Sequence, residues 1–163
     1  MTDSKIKKII LAAMLAALCC VATLVIQIPS PMNGYVNLGD CIVLVSGFIL
    51  GPLWGACAAG IGSALADVIA GYVYYFPGTL IIKALCAAVS AIIYKKSKKT
   101  ALWCAVSGIC GECIMVVGYF LYAALIFGEG LTAALSIPGN IVQAIAGIVV
   151  SVLIMQALKK FLK

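Results

Sequence analysis

Residues 34–67 read GYVNLGDCIVLVSGFILGPLWGACAAGIGSALAD, and no charged side chain stands between Asp40 and Asp67. The run is apolar or small throughout and is broken at Gly51-Pro52. Proline starts helices well and continues them badly. The stretch therefore predicts a helical hairpin that turns at residues 51–52 and brings Asp67 back to the level of Asp40. A carboxylate held in hydrocarbon is costly and marks a functional candidate, so the fold must give both groups a polar setting.

The rest of the chain has the same character. Of its 163 residues 65% are hydrophobic and 10% charged, and the mean hydropathy is +1.22. Soluble domains carry about 25% charged residues, so the composition is that of an integral membrane protein. Eight cysteines lie scattered within apolar runs, where they read as small hydrophobes rather than as a disulfide framework. The N-terminal apolar run, residues 9–28, is longer than the core of a secretory signal. Leu18 before Cys19 is wrong for lipoprotein cleavage, so the run is expected to stay as a first span.

A spanning helix needs about 20 apolar residues. Punctuation by Pro, Gly and Lys yields six candidates, at about residues 8–28, 37–50, 55–74, 77–94, 101–127 and 138–158. The second is the shortest. The expected fold is an all-α bundle of six transmembrane helices forming one domain, 1–163. The basic residues are all lysines, eleven in number. Ten cluster at positions 5–8, 95–99 and 159–163. Six spans with a cytoplasmic N-terminus put every cluster on the cytoplasmic side, as the positive-inside rule asks. The connections near 29–36, 72–78 and 128–137 contain no lysine and fall outside. Basic clusters beside spans are topology signals, so nucleic acid is not an expected partner.

On this map the intramembrane polar residues converge at one outer level. Asp40 opens span two, Asp67 closes span three, and Lys83 lies one to two turns into span four. Asn140 and Gln143 lie in the first turn of span six, with Asn33 and Asn37 in the first outer loop. The simplest account is an outward-facing pocket. A purely structural account assigns Asp40 to capping span two, Lys83 to an ion pair with Asp67, and Asn140 and Gln143 to bonds between helices. Tyr35, Tyr72, Tyr74, Tyr75 and Phe76 gather on the same side, either as an interfacial aromatic belt or as a stacking wall for a flat ring. Glu112 sits near mid-depth in span five, as a pocket floor or a protonated, hydrogen-bonded group. Asp40, Asp67 and Lys83 sum to one negative charge, which disfavours an anionic ligand.

Small residues make a second pattern. Ala12, Ala13, Ala16 and Ala17 give span one two Ala-x-x-x-Ala pairs, a spacing that admits close helix approach. Gly47, Gly51 and Gly55, then Gly60 and Ala64, repeat it in spans two and three, where packing inside the chain explains it.

Other chemistries find no support. There is no phosphate-binding Gly-x-x-x-x-Gly-Lys-Ser/Thr loop and no histidine. Cys110 and Cys113 have no matching second pair for zinc, and no nucleophile has a base beside it. No enzyme, cofactor or metal site is expected. No internal repeat of the secondary-transporter kind is visible.

The alanine face of span one, NLGD, GPLWGACAAGIGSALADVIAGY, YYFPGTLIIK and GNIVQAIAG occur in an order that resembles the substrate-binding S components of energy-coupling factor (ECF) transporters. The likeness covers the whole chain. It implies a six-helix protein of the bacterial cell membrane that captures a vitamin in an outward-facing pocket. The pocket residues would be Asn37, Asp40, Asp67, Tyr75, Lys83, Glu112, Asn140 and Gln143, with the loop between spans one and two as a lid. It also implies docking through Ala12, Ala13, Ala16 and Ala17 onto a membrane scaffold subunit driven by two cytoplasmic ATPases. The motifs are most similar to pyridoxine or hydroxymethylpyrimidine S components, with riboflavin and queuosine-precursor types as alternatives. A stand-alone secondary transporter is the alternative of another class.

Overall fold

The computed structural model describes residues 3–29 and 35–161; Asn33 and Lys163 lie outside them. Six helices carry the fold: α1 (Asp3–Val25), α2 (Gly39–Leu50), α3 (Pro52–Ile69), α4 (Phe76–Lys96), α5 (Ala101–Leu121) and α6 (Ile137–Phe161). Between α1 and α2 the chain forms a small antiparallel ribbon, β1 (Gln27–Pro29) with β2 (Tyr35–Asn37), in the register Gln27 to Asn37. A single 3-10 turn, Val73–Tyr75, leads into α4. A π-helical turn, Tyr122–Ile126, extends α5, and a 3-10 segment, Gly130–Ser136, leads into α6.

The predicted elements are all present, with shifted ends. Span one stops three residues early because Val25, Ile26 and Ile28 are β-branched and Pro29 holds the residue before it extended. The turn between α2 and α3 falls where Gly51-Pro52 places it. Gly51 adopts φ 81, a backbone region open to glycine at no steric cost, and Pro52 occupies the first turn of α3.

Five of the helical segments are long and apolar enough to cross a membrane. The exception is α2, whose 12 residues rise about 18 Å, against a hydrocarbon core of about 30 Å. It avoids lipid by being enclosed: α1, α3, α4 and α6 all pack on it, and every residue from Gly39 to Gly47 is buried. Small residues make this close packing possible. A Cβ at Gly62 of α3 would stand 2.3 Å from the Ala16 carbonyl oxygen of α1, so these two backbones touch. The large exposed side chains are apolar, among them Ile10, Met14, Leu53, Ile69, Leu102 and Leu153. Such a surface is fit for lipid and unfit for water.

The interior is polar to a degree unusual for a protein core, with Thr23, Ser46, Ser63, Ser90, Ser107 and Ser151 all buried. Thr23, Ser90, Ser107 and Ser151 donate to backbone carbonyls three or four residues earlier in their own helices, which satisfies them without a partner helix.

Candidate functional site

The end of the bundle away from the lysine clusters holds a cavity lined by Tyr35, Asn37, Asp67, Tyr75, Thr79, Tyr119, Ala123, Ser136, Asn140 and Gln143. The pieces that meet here are β2, the end of α3, the Val73–Tyr75 turn with the start of α4, the end of α5 with its π-helical turn, and the Gly130–Ser136 segment with the start of α6. The free space is narrow, about 50 Å³.

The strand β2 forms one wall and is tied down twice. The Tyr35 hydroxyl donates to Asp67 Oδ1 at 2.7 Å, and the Asn37 backbone N–H donates to Gln143 Oε1 at 2.7 Å. Burial, followed by the nearby Asp67 carboxylate, holds the Tyr35 phenol well above its ordinary pKa, so it remains a donor. The other Asp67 oxygen, Oδ2, is buried with no donor at full hydrogen-bonding geometry among the described residues, and the Thr79 hydroxyl is the side-chain donor that faces this carboxylate. Across the cavity the Tyr119 hydroxyl donates to Thr79 Oγ1 at 3.0 Å. The wall thus combines three phenol rings with the amides of Asn37, Asn140 and Gln143, of which Gln143 is engaged at both ends, and the Asp67 carboxylate.

Beneath this cavity lies a second polar cluster that does not open into it. Asp40, Lys83 and Glu112 are 0%, 3% and 2% exposed. Lys83 Nζ donates to Asp40 Oδ1 in a buried ion pair, and Gln143 Nε2 donates to Asp40 Oδ2 at 2.6 Å. Both Asp40 oxygens are therefore occupied. Lys83 also lies 5.3 Å from the centroid of the Tyr119 ring, which separates it from the cavity. Glu112 Oε1 accepts from the Cys86 thiol at 3.7 Å, while Oε2 has no partner among the described residues.

Five of the residues expected at the pocket line the cavity: Asn37, Asp67, Tyr75, Asn140 and Gln143. Asp40, Lys83 and Glu112 do not: the outer level expected for Asp40 and Lys83 is corrected to one beneath the cavity, and Glu112 lies deeper in the bundle, where mid-depth was expected. Lys83 lies one turn inward from Thr79 on α4, and Glu112 two turns inward from Tyr119 on α5, about 10 Å at helical rise. Lys83 pairs with Asp40 rather than with Asp67. Asp40 lies in the first turn of α2 but makes no capping bond there. Gln143 joins the two levels through its two amide ends.

Thr79, Tyr119, Ala123 and Ser136 were missing from the expected pocket residues, and Tyr35 was expected only as one of the outer aromatic group. Two had a readable signal. Thr79 precedes Lys83 by four residues and Tyr119 follows Glu112 by seven, spacings that put each on the helix face of a residue already singled out. Of the outer aromatic residues, Tyr74 and Tyr75 pack with Tyr122 and Phe127 in a chain of edge and tilted contacts with centroids 4.9–6.1 Å apart. Of the outer aromatic group, Tyr35 and Tyr75 reach the cavity.

The four alanines of α1 divide. Ala12 is buried, and Ala16 lies against Gly62, whereas Ala13 and Ala17 are exposed. The expectation that Ala12 faces a partner is corrected: α3 occupies that side of the helix.

With this architecture in view, a family model described as "ECF-type riboflavin transporter, S component" matches residues 3–160. The chain belongs to the S-component family of energy-coupling factor transporters. A solved chain described as "Structure and mechanism of the S component of a bacterial ECF transporter" superposes with a TM-score of 0.74 over 98% of this chain and 99% of its own. At 21% identity that likeness speaks for the fold. A Pyrococcus woesei relative, described as "Uncharacterized protein in gap 3'region", is 37% identical over 133 residues, 80% of this chain and 86% of its own length. This S component is a multi-pass membrane protein, a substrate-binding transport subunit and not an enzyme. S components bind a small vitamin and work with an energy-coupling module.

Proposed function

We propose that this S component captures a neutral, single-ring heteroaromatic vitamin or precursor, of the pyridoxine or hydroxymethylpyrimidine class, in the cavity between β2 and the helix ends. The observation that carries this reading is the makeup of the wall: Tyr35, Tyr75 and Tyr119 beside Asn37, Asp67, Asn140 and Gln143, with Asp67 Oδ2 short of a full hydrogen bond. Ring faces suit a flat ligand. Asp67 Oδ2 accepts from a ligand hydroxyl or ring N–H, and Asn140 offers both a donor and an acceptor. No lysine lines the cavity, and the Lys83 charge is already neutralised by Asp40. A phosphorylated form of the vitamin would find no counter-charge.

In this reading β2 is the lid. The Tyr35–Asp67 and Asn37–Gln143 bonds close it, and ligand exchange requires both to open. The lysine clusters orient the cavity outward in the cell membrane. The exposed side of α1, with Ala13 and Ala17, docks onto a membrane scaffold coupled to two cytoplasmic ATPases, and delivery follows from that docking.

Riboflavin is the second reading, supported by the description of the matching family model. Purification followed by mass spectrometry of the bound small molecule separates the two. A colourless protein carrying a pyridine or pyrimidine supports the first reading; a yellow protein carrying a flavin defeats it. Uptake that persists in vesicles lacking scaffold and ATPases would defeat the capture-subunit mechanism itself.

A further inference from the structure

At the lysine-rich end, α4 and α5 leave a groove of about 460 Å³ lined by Ile92, Ile93, Lys96, Ser97, Lys98 and Trp103. Its floor is apolar and its rim carries two ammonium groups. The α4–α5 turn, the last turn of α4 and the whole of α6 contain no carboxylate. Among the described residues the one ion pair is Lys83–Asp40, near the other end. Among the described residues these elements supply no counter-charge to this rim.

The turn that shapes the groove is well bonded. Ser97 Oγ donates to the Tyr94 carbonyl at 2.8 Å and accepts the Lys99 N–H at 3.2 Å. Thr100 Oγ1 accepts the Trp103 N–H at 3.3 Å, and Lys159 Nζ donates to the Lys99 carbonyl. The α4 span ends at Lys96 and the α5 span begins at Ala101, so the rim lies at headgroup level. Ile92 is one turn further in, about 6 Å at helical rise, where acyl chains begin.

We propose that this groove seats an anionic phospholipid, its phosphate between Lys96 and Lys98 beside the Ser97 hydroxyl, and an acyl chain along Ile92 and Ile93. A cationic rim over an apolar floor matches an amphiphile. A free phosphate would use the lysines and gain nothing from the isoleucines. Basic pockets between helices at headgroup level hold anionic lipids by this chemistry, and an indole such as Trp103 favours the same depth.

The chain has two tryptophans, so Trp54→Phe leaves Trp103 as the reporter. The full chain carrying that change is reconstituted in phosphatidylcholine vesicles with a fixed small fraction of brominated phosphatidylglycerol or brominated phosphatidylcholine. Quenching of Trp103 should show the anionic lipid enriched by about fivefold per lysine. The excess should disappear in Lys96→Gln/Lys98→Gln, survive in Lys96→Arg/Lys98→Arg, and survive in Lys5→Gln/Lys7→Gln, which loses the same charge elsewhere. Equal quenching by the two lipids overturns the proposal. So does an excess that outlasts Lys96→Gln/Lys98→Gln, or one that Lys5→Gln/Lys7→Gln removes as fully. Displacement of the brominated lipid by inorganic phosphate at matched ionic strength would make the groove a phosphate site and overturn it too.

Discussion

Asp40 and Asp67 end the two arms of one hairpin, yet the fold treats them oppositely. Asp40 has both oxygens engaged, by Lys83 and by Gln143, and is sealed from the cavity. Asp67 has one oxygen engaged by Tyr35 and the other short of a full hydrogen bond, with Thr79 beside the carboxylate, and it lines the cavity. A buried polar group that is fully satisfied specifies structure; one left short specifies a vacancy for something else to fill. On the proposed reading, the pair sets a positioning carboxylate and a recognising one 27 positions apart in the sequence.

The sharpest way to break that division is Asp40→Ala. It strands the Lys83 ammonium in the interior, a loss of about 3–5 kcal/mol, and should lower the unfolding temperature in detergent along with ligand binding. Asp40→Asn/Lys83→Met removes both charges and should recover much of that stability. If Asp40→Ala left stability unchanged and weakened only ligand binding, the roles would be reversed. Asp67→Asn should do the opposite. Losing a hydrogen bond to a charged acceptor costs about 1.5–3 kcal/mol, or roughly ten- to a hundredfold in affinity by calorimetric titration, with the unfolding temperature nearly unchanged.

Smaller effects refine the picture. Tyr35→Phe frees β2 from Asp67 and should speed ligand dissociation by about tenfold, read by stopped-flow fluorescence. The raised Tyr35 pKa favours the neutral phenol. This donor should stay protonated from pH 7 to beyond the ordinary tyrosine value of about 10, and binding should not fall over that window on its account. Smallest in binding are Ala13→Leu and Ala17→Leu, which should leave ligand affinity within about twofold while transport with the scaffold and ATPases falls. Equal loss of both would show that the outer side of α1 is not a separate docking face.

Much of this was legible in the sequence because its punctuation is strong. Gly51-Pro52, Pro77 and the lysine clusters divided the chain into six elements in the right places. Asp67, Asn140 and Gln143 were found at the cavity because intramembrane polar residues are few. Glu112 was read at mid-depth, but the place of Asp40 and Lys83 beneath the cavity was not legible. It depends on α2 being short and enclosed by four helices, which removes Asp40 from the rim although it begins its helix. The ribbon of β1 and β2 was also hidden, since three-residue strands have too little alternation to read. Tyr119 entered the cavity through tertiary packing, as a bulky ring whose polar tip found Thr79, while Tyr35 was singled out only within the outer aromatic group.

The Lys83–Asp40 pair has an electrical consequence as well. A membrane voltage acts on charge at about 2.3 kcal/mol per elementary charge per 100 mV. Cation and anion held in direct contact give that field almost nothing to pull on. However the bundle tilts or shifts in the bilayer, its most deeply enclosed lysine adds no net electrical work, and this part of the chain rides through an energised membrane as though it were uncharged.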